Sequence, residues 1–401
     1  MTKSNERHVP VLFQEAIDFL KVRAGGTYVD CTLGLAGHAE GIVRLLGPQG
    51  RLIGFDRDSE ALEFAKARLD RVCGEMGSQA PQVTLVNQAF SSIAEHVKPA
   101  SVDGLLADFG VSSLQFDEAH RGFSFQADGP LDMRMDTRQG PTAAQVVNEA
   151  KERELADLIY EYGEERRSRR IARAIVRGRP VATTGQLARI VASGAPSMKQ
   201  ERIHPATRTF QALRIYVNSE LDEIRALFEA APKLLKPSAR LAVISFHSLE
   251  DRIAKDSLRE GAQKGIWEIL TRKPVTAGEE EMDRNPRSRS AKMRAAERQG
   301  TGNREQGLGN RQYGAIREQG ERSREQSADS TVSNSVPCSL IPVPSGDTPW
   351  RHARQLILKR AEAGARGSPS GTPSCSPGRP CAGGARARRS SSFPSILTIH
   401  A

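Results

Sequence analysis

Between Thr27 and Gly110 short apolar runs alternate with stretches of helical spacing, a rhythm that few architectures accept. The runs fall at 27–30, 51–56, 83–86 and 102–108, most of them ending in Asp or Val. Between the second and third, Ala61, Leu62, Ala65 and Leu69 recur at helical intervals over 59–72, behind a cap at Asp58/Ser59. A strand followed by a helix returns to the sheet parallel to its predecessor, so the expected class is α/β, a parallel sheet with both faces covered.

A fifth strand, at 240–246, comes only after a long interval. Residues 116–205 are helical in pattern and are expected as a domain inserted between the fourth and fifth strands. Its exit reads as one long amphipathic helix in which Phe210, Leu213, Val217, Leu221, Ile224 and Phe228 share a stripe packed on the sheet. The sheet domain is therefore expected to be discontinuous, from 1–115 and 206–300. From 301 to 401 Gly, Arg, Ser, Gln and Pro dominate, with too few large apolar residues to offset the entropy of ordering, and a disordered C-terminal tail is expected.

Bulk properties narrow the partners. A chain of 401 residues exceeds what a single core serves, and 58 Lys and Arg against 48 Asp and Glu give a net charge of +10, which suits a polyanion. The 5 cysteines form no CxxC pair and no zinc spacing, so neither a disulfide framework nor a metal site is expected. No apolar run approaches the roughly 18 residues of a membrane helix, which points to a reducing, cytoplasmic setting.

The turn after the first strand, Asp30 to His38, is rich in small residues and opens a helix over 39–46, so backbone N–H groups face a ligand there. Asp56 ends the second strand and is placed to accept hydrogen bonds from both ribose hydroxyls of an adenosine. A dinucleotide needs G-x-G-x-x-G for its pyrophosphate, whereas Gly34 and Gly37 are not followed by a third glycine in register. S-adenosylmethionine has no phosphate and fits better. Phe90, just past the third strand, is either its adenine contact or core filling. Asp108 ends the fourth strand and opens the segment 108–115, where an oxygen acceptor beside a reacting amine localises the nitrogen lone pair and takes its proton. Catalyst, cofactor contact and cap are all open roles for Asp108.

At this point longer strings become decisive. His8-Val9-Pro10-Val11-Leu12, the segments 108–115, 121–125, 129–135 and 162–166, His204-Pro205-Ala206-Thr207-Arg208-Thr209-Phe210-Gln211-Ala212, and Ser245-Phe246-His247-Ser248-Leu249-Glu250-Asp251-Arg252 resemble the bacterial 16S rRNA small-subunit cytosine-N4 methyltransferases. The resemblance runs from about His8 to Arg298 and closes on Asn285-Pro286-Arg287-Ser288-Arg289-Ser290. It implies a Rossmann-like class I S-adenosylmethionine-dependent methyltransferase sheet. It implies cofactor contacts at Ala36, Gly37, His38, Asp56, Phe90, Asp108 and Gln115, and a decoding-centre cytidine of the small ribosomal subunit as substrate, while Asp108 is the candidate catalytic residue on its own position after the fourth strand. The chain departs from the family at Ala36, Phe109 and Leu114, where Gly, Leu and Pro are usual. Ala36 adds a methyl group beside the cofactor.

RNA contact is expected on the inserted domain, where Arg166, Arg170, Arg173 and Arg177 recur at helical spacing beside an apolar face of Ile171, Ala174 and Ile175. A solvated face has the same pattern. His247 is expected to be structural. The competing classes are a noncatalytic RNA-binding or ribosome-assembly protein that keeps a cofactor fold, and an amine methyltransferase acting on another nucleic acid. The oligomeric state stays open.

Overall fold

The computed structural model describes residues 10–195, 204–300 and 396–399. Its strands are β1 (Thr27–Asp30), β2 (Arg51–Phe55), β3 (Gln82–Val86), β4 (Val102–Asp108), β5 (Leu235–Ser245), β6 (Trp267–Ile269), β7 (Lys292–Arg298) and β8 (Ile396–Ile399). They form one sheet in the order β6-β7-β5-β4-β1-β2-β3-β8. All pairings among β1 to β5 are parallel, while β7 runs antiparallel to β5 and β6, and β8 antiparallel to β3. Strand order reverses between β1 and β4, as in a doubly wound Rossmann-like sheet, and ligands bind such sheets beyond the strand C-termini at that reversal.

Successive side chains of a strand point to opposite faces, and the central strands are apolar on both. Leu105 and Ala107 of β4 enter one core with Val29, Val243 and Leu227. Leu106 enters the other with Tyr28, Ala242 and Ile42. Helices Phe13–Leu20, Gly37–Leu46 and Ser59–Met76 cover this second face, while Glu220–Leu234 and Ser248–Gln263 cover the first. Asp58 caps helix Ser59–Met76 by accepting the Glu60 N–H, as its sequence position requires.

Between β4 and β5 the helices Ala143–Glu149, Glu152–Gly163, Ser168–Arg177 and Thr184–Gly194 build a third core. The expected single exit helix is two, Ala206–Asn218 and Glu220–Leu234, broken at Ser219, whose φ of 52° is left-handed. The stripe divides there. Phe210, Leu213 and Val217 pack in the helical core, and Leu221, Ile224 and Phe228 pack on the sheet. A continuous 3.6-residue pattern cannot reveal one non-helical residue that sends its two halves to different partners.

Among the described residues no helix is long and apolar enough to cross a membrane. Residues 301–395, expected to be disordered, lie outside the described residues, as do His8 and Val9. Ile396–Ile399 add an eighth strand that the sequence reading did not include, with Ile396 opposite Val86 and Ile399 opposite Val83.

Candidate active site

A cavity opens beyond the C-termini of β1, β2 and β4, where the doubly wound order predicts it. The loop leaving β1 makes the floor. Asp30 accepts the Thr32 N–H at 3.1 Å, Gly34 and Ala36 both take left-handed φ (50° and 58°), and helix Gly37–Leu46 starts at once. A Cβ on Gly37 would stand 2.8 Å from Pro10 Cγ, so only glycine lets the N-terminal segment pass. His38 is buried, with Nε2 3.0 Å from the Val11 carbonyl and its ring stacked on Phe13.

Asp56 binds this loop to the next. One oxygen accepts the Gly34 N–H at 2.8 Å and the other the Asp58 N–H at 2.8 Å. Burial pushes its carboxyl up to about 6 against the Asp58 hydrogen bond. Phe90 follows β3 in a turn, 8% exposed, its ring centroid 6.4 Å from that of Phe109. Phe109 thereby supplies a second ring beside Phe90.

Asp108 donates its N–H to Thr32 Oγ1 at 2.6 Å and accepts the Gly110 N–H on Oδ1 at 2.9 Å. Burial raises its carboxyl to about 7, opposed by that hydrogen bond and reinforced by the charge of Glu250. Burial likewise raises Asp30 to about 7, with the Thr32 hydrogen bond opposing and Asp108 and Asp56 adding. Asp30, Asp56 and Asp108 thus end three neighbouring strands and make one desolvated, negatively polarised patch. Such a patch favours a cationic ligand, and a sulfonium with an α-ammonium group is one.

Gln115 is buried in the same wall, donating Nε2 to Asp58 Oδ2 at 2.8 Å and accepting the Ser112 N–H at 3.1 Å in a capping box. Asp58 also pairs with Arg121 at 2.7 Å, and both side chains are almost wholly buried. Leu114 lies in the first turn of helix Ser113–Asp117, where a proline is also tolerated.

Of the residues singled out from sequence, Gly37, His38, Asp56, Phe90, Asp108 and Gln115 line this one cavity. Ala36 does not. It is fully buried behind the loop, and its left-handed conformation accounts for the glycine usual there in the family. Glu220, Phe246, Glu250 and Arg287 also line the cavity and were not singled out as site residues. Glu250 was open to discovery, since His247 to Glu250 has the spacing of a capping box: His247 accepts the Glu250 N–H, and Glu250 accepts the His247 N–H.

Of the four arginines, Arg166 precedes helix Ser168–Arg177, and Arg170, Arg173 and Arg177 lie on it. All four are exposed, Ile171, Ala172 and Ile175 are buried beneath, and Arg173 lies 3.4 Å from Glu152.

Comparison with known proteins agrees with this geometry. The sequence family described as the MraW methylase family matches residues 5–299. Proteins named "Ribosomal RNA small subunit methyltransferase H" are similar over the same span. The one from Acidobacterium capsulatum is 72% identical over 293 residues, 73% of this chain and 99% of its own. Those from Koribacter versatilis and Sorangium cellulosum are 60% and 51% identical, covering 73% and 74% of this chain and 94% and 92% of theirs.

Proposed function

The chain belongs to the MraW methylase family, and from that premise we propose that it methylates the exocyclic N4 amine of a decoding-centre cytidine in 16S rRNA of the small ribosomal subunit, with S-adenosylmethionine as donor. The observation that carries this reading is the pair of desolvated carboxylates Asp56 and Asp108 at the ends of β2 and β4, which line a cavity walled by Phe90 and Gln115, with Asp30 buried between them at the end of β1. When bound, the cofactor supplies an electrophilic methyl group on a sulfonium that departs as a neutral thioether with the carbon–sulfur electron pair.

The protein does the rest. Each Asp56 oxygen is fixed by one backbone N–H and keeps a lone pair for a ribose hydroxyl. Phe90 would cover the adenine, the N-terminus of helix Gly37–Leu46 would receive the carboxylate of the methionine end, and Asp108 would lie on the side of the transferred methyl group. Its free oxygen accepts an N–H of the target amine, localises the lone pair, and takes the proton that the amine sheds once its new N–C bond has formed. The helical unit between β4 and β5 is the RNA-recognition domain, with Arg166, Arg170, Arg173 and Arg177 directed to phosphates.

The test incubates the purified protein with radiolabelled S-adenosylmethionine and small ribosomal subunits, and maps the labelled nucleotide by mass spectrometry. Label on the N4 atom of one cytidine is expected. RNA binding without any transfer would establish the assembly-protein reading instead.

A further inference from the structure

Across the cavity from the cofactor loop lies a buried cluster of charges with no task in the scheme so far. Glu250 is wholly buried at the start of helix Ser248–Gln263, and its Oε2 accepts the N–H groups of Phe246 and His247 at 2.7 and 3.3 Å. Oε1 stands 3.0 Å from His247 Nε2 and 3.9 Å from an Arg214 nitrogen, yet neither Oε1 nor Nε2 makes a hydrogen bond of acceptable angle. Arg214, from helix Ala206–Asn218, grips Glu220 through contacts of 2.8 and 2.9 Å. Burial opposes the charge on Glu250, but His247, Arg214 and the Phe246 N–H together hold its carboxyl below the usual range.

Glu220, His247 and Glu250 hold their ligand atoms within 4.8 Å of one another, a spacing suited to a metal ion. Arg214 already engages both Glu220 oxygens, so Glu220 has a cationic partner in its guanidinium. Two carboxylates against one guanidinium leave the cluster a net negative charge whenever the His247 imidazole is neutral. That charge is directed at Asp108. β4 and β5 place Asp108 beside Ile244, two residues before Phe246, and Gly110 bridges the two sides. The Gly110 N–H holds Asp108 Oδ1, and a Cβ on Gly110 would stand 2.7 Å from the Phe246 ring. Asp108 and Glu250 therefore face one cavity across a packed, rigid contact.

We infer that Glu250, held by the Phe246 and His247 N–H groups and flanked by the Arg214 and His247 side chains, is a positioning residue for the methyl transfer, its fixed negative charge making Asp108 the acceptor of the proton shed by the amine. This rests on the amine-methylation reading above. A carboxylate deprived of water and facing a second negative charge binds a proton more tightly, which is what a base acting on a weakly acidic N–H requires. In the proton step the N–H electron pair returns to nitrogen, Asp108 becomes a carboxylic acid, and it discharges to water when product leaves. The other charged groups lining the cavity, Asp56 and Arg57 at the end of β2, His38 from helix Gly37–Leu46 and Arg287 from the turn Pro286–Ser290, stay the same in the variants below, as does Asp30, buried behind the wall at the end of β1.

The experiment follows kcat against pH at saturating S-adenosylmethionine and small subunits, with cofactor binding and Tm as controls for folding. In Glu250→Gln the acid limb moves to lower pH by about one unit, the effect of losing a close like charge. In Glu250→Asp, which keeps the charge, the limb stays in place. A Glu250→Gln protein that binds cofactor and has an unmoved limb overturns the inference. Should that variant fail to bind cofactor, Glu220→Gln decides: freed from Glu220, Arg214 neutralises Glu250, the same downward move is expected, and an unmoved limb is again fatal. Wild-type protein that transfers no label at any pH removes the methylation reading itself, and the inference with it.

Discussion

Carboxylates gathered out of water make a protein's stability depend on pH in an unusual direction. Asp30 and Asp108 rise to about 7 from an ordinary 3.8. A folded value above the unfolded one means that the folded protein holds protons the unfolded chain releases, so stability falls as pH rises through about 7 and recovers as pH drops toward 4. Asp108→Asn should therefore stabilise the ligand-free protein at pH 8 by on the order of 1–2 kcal/mol, with most of that gain gone at pH 5. Thermal melts at the two pH values read it, and an equal Tm for both proteins at pH 8 counts against the burial argument. The same variant should lose most turnover at saturating cofactor; a normal rate would reduce Asp108 to a cap. Asp56→Ala removes two acceptors for the ribose and should weaken S-adenosylmethionine binding by about 1.5–3 kcal/mol in calorimetry, and it should lower Tm because the Gly34 and Asp58 N–H groups lose their acceptor. Unchanged affinity would move the ribose elsewhere. The cavity positions of Asp56 and Asp108 could be read because they close apolar runs, where an alternating pattern fixes position to within a residue or two, and that of Phe90 because it lies in the turn that follows such a run. Ala36 was read as a contact because a linear motif cannot show which of its members faces the ligand and which only turns the backbone.

Among the elements, the loop after β4 depends on an ion pair that no motif announces. Arg121 pairs with Asp58, and Gln115 bonds the same carboxylate, so the cofactor wall and the cap of helix Ser59–Met76 share one anchor. Arg121→Ala leaves the buried Asp58 with its Gln115 and Glu60 hydrogen bonds but no cation, and should cost about 3–5 kcal/mol of stability in denaturant unfolding, the usual penalty for orphaning a buried charge. A loss below 1 kcal/mol would mean that water enters and solvates Asp58. The arginine stripe behaves differently, because its members are exposed and cost nothing to neutralise. Replacing Arg166, Arg170, Arg173 and Arg177 should lower the salt dependence of RNA binding by roughly 0.7–0.9 in slope for each phosphate left without its arginine. An unaltered slope in the quadruple variant would identify a solvated face. The apolar runs of β1 to β5 could be read from sequence since they are buried on both faces. β6 and β7 were missed for the opposite reason: Lys292-Met293-Arg294-Ala295-Ala296-Glu297-Arg298 mixes charge with small residues, and Arg294 is buried in β7 against Asp251 at 2.7 Å.

At the scale of the whole molecule, charge and chemistry part company. Residues 301–401 hold 14 Lys and Arg against 7 Asp and Glu, so 7 of the 10 net positive charges lie outside the part that carries the site. The overall charge is thus a poor guide to where RNA sits, and the local arginine stripe a better one. A chain ending at Gly300 should keep its turnover at saturating substrate and most of its Tm, while associating with RNA more slowly at low salt. Lost catalysis at saturation would make the C-terminal stretch part of the site. What such a chain gives up is β8. During synthesis everything needed for the sheet up to β7 has left the ribosome before β8 exists. At about 5–20 residues per second, the hundred or so residues that follow take roughly 5–20 s to appear. For that interval each new molecule carries β3 as a bare edge, and neighbours on one polysome present identical edges to one another. Until β8 pairs, the β3 edge is open to the same edge of a neighbouring chain, so crowding on the messenger favours pairing between chains.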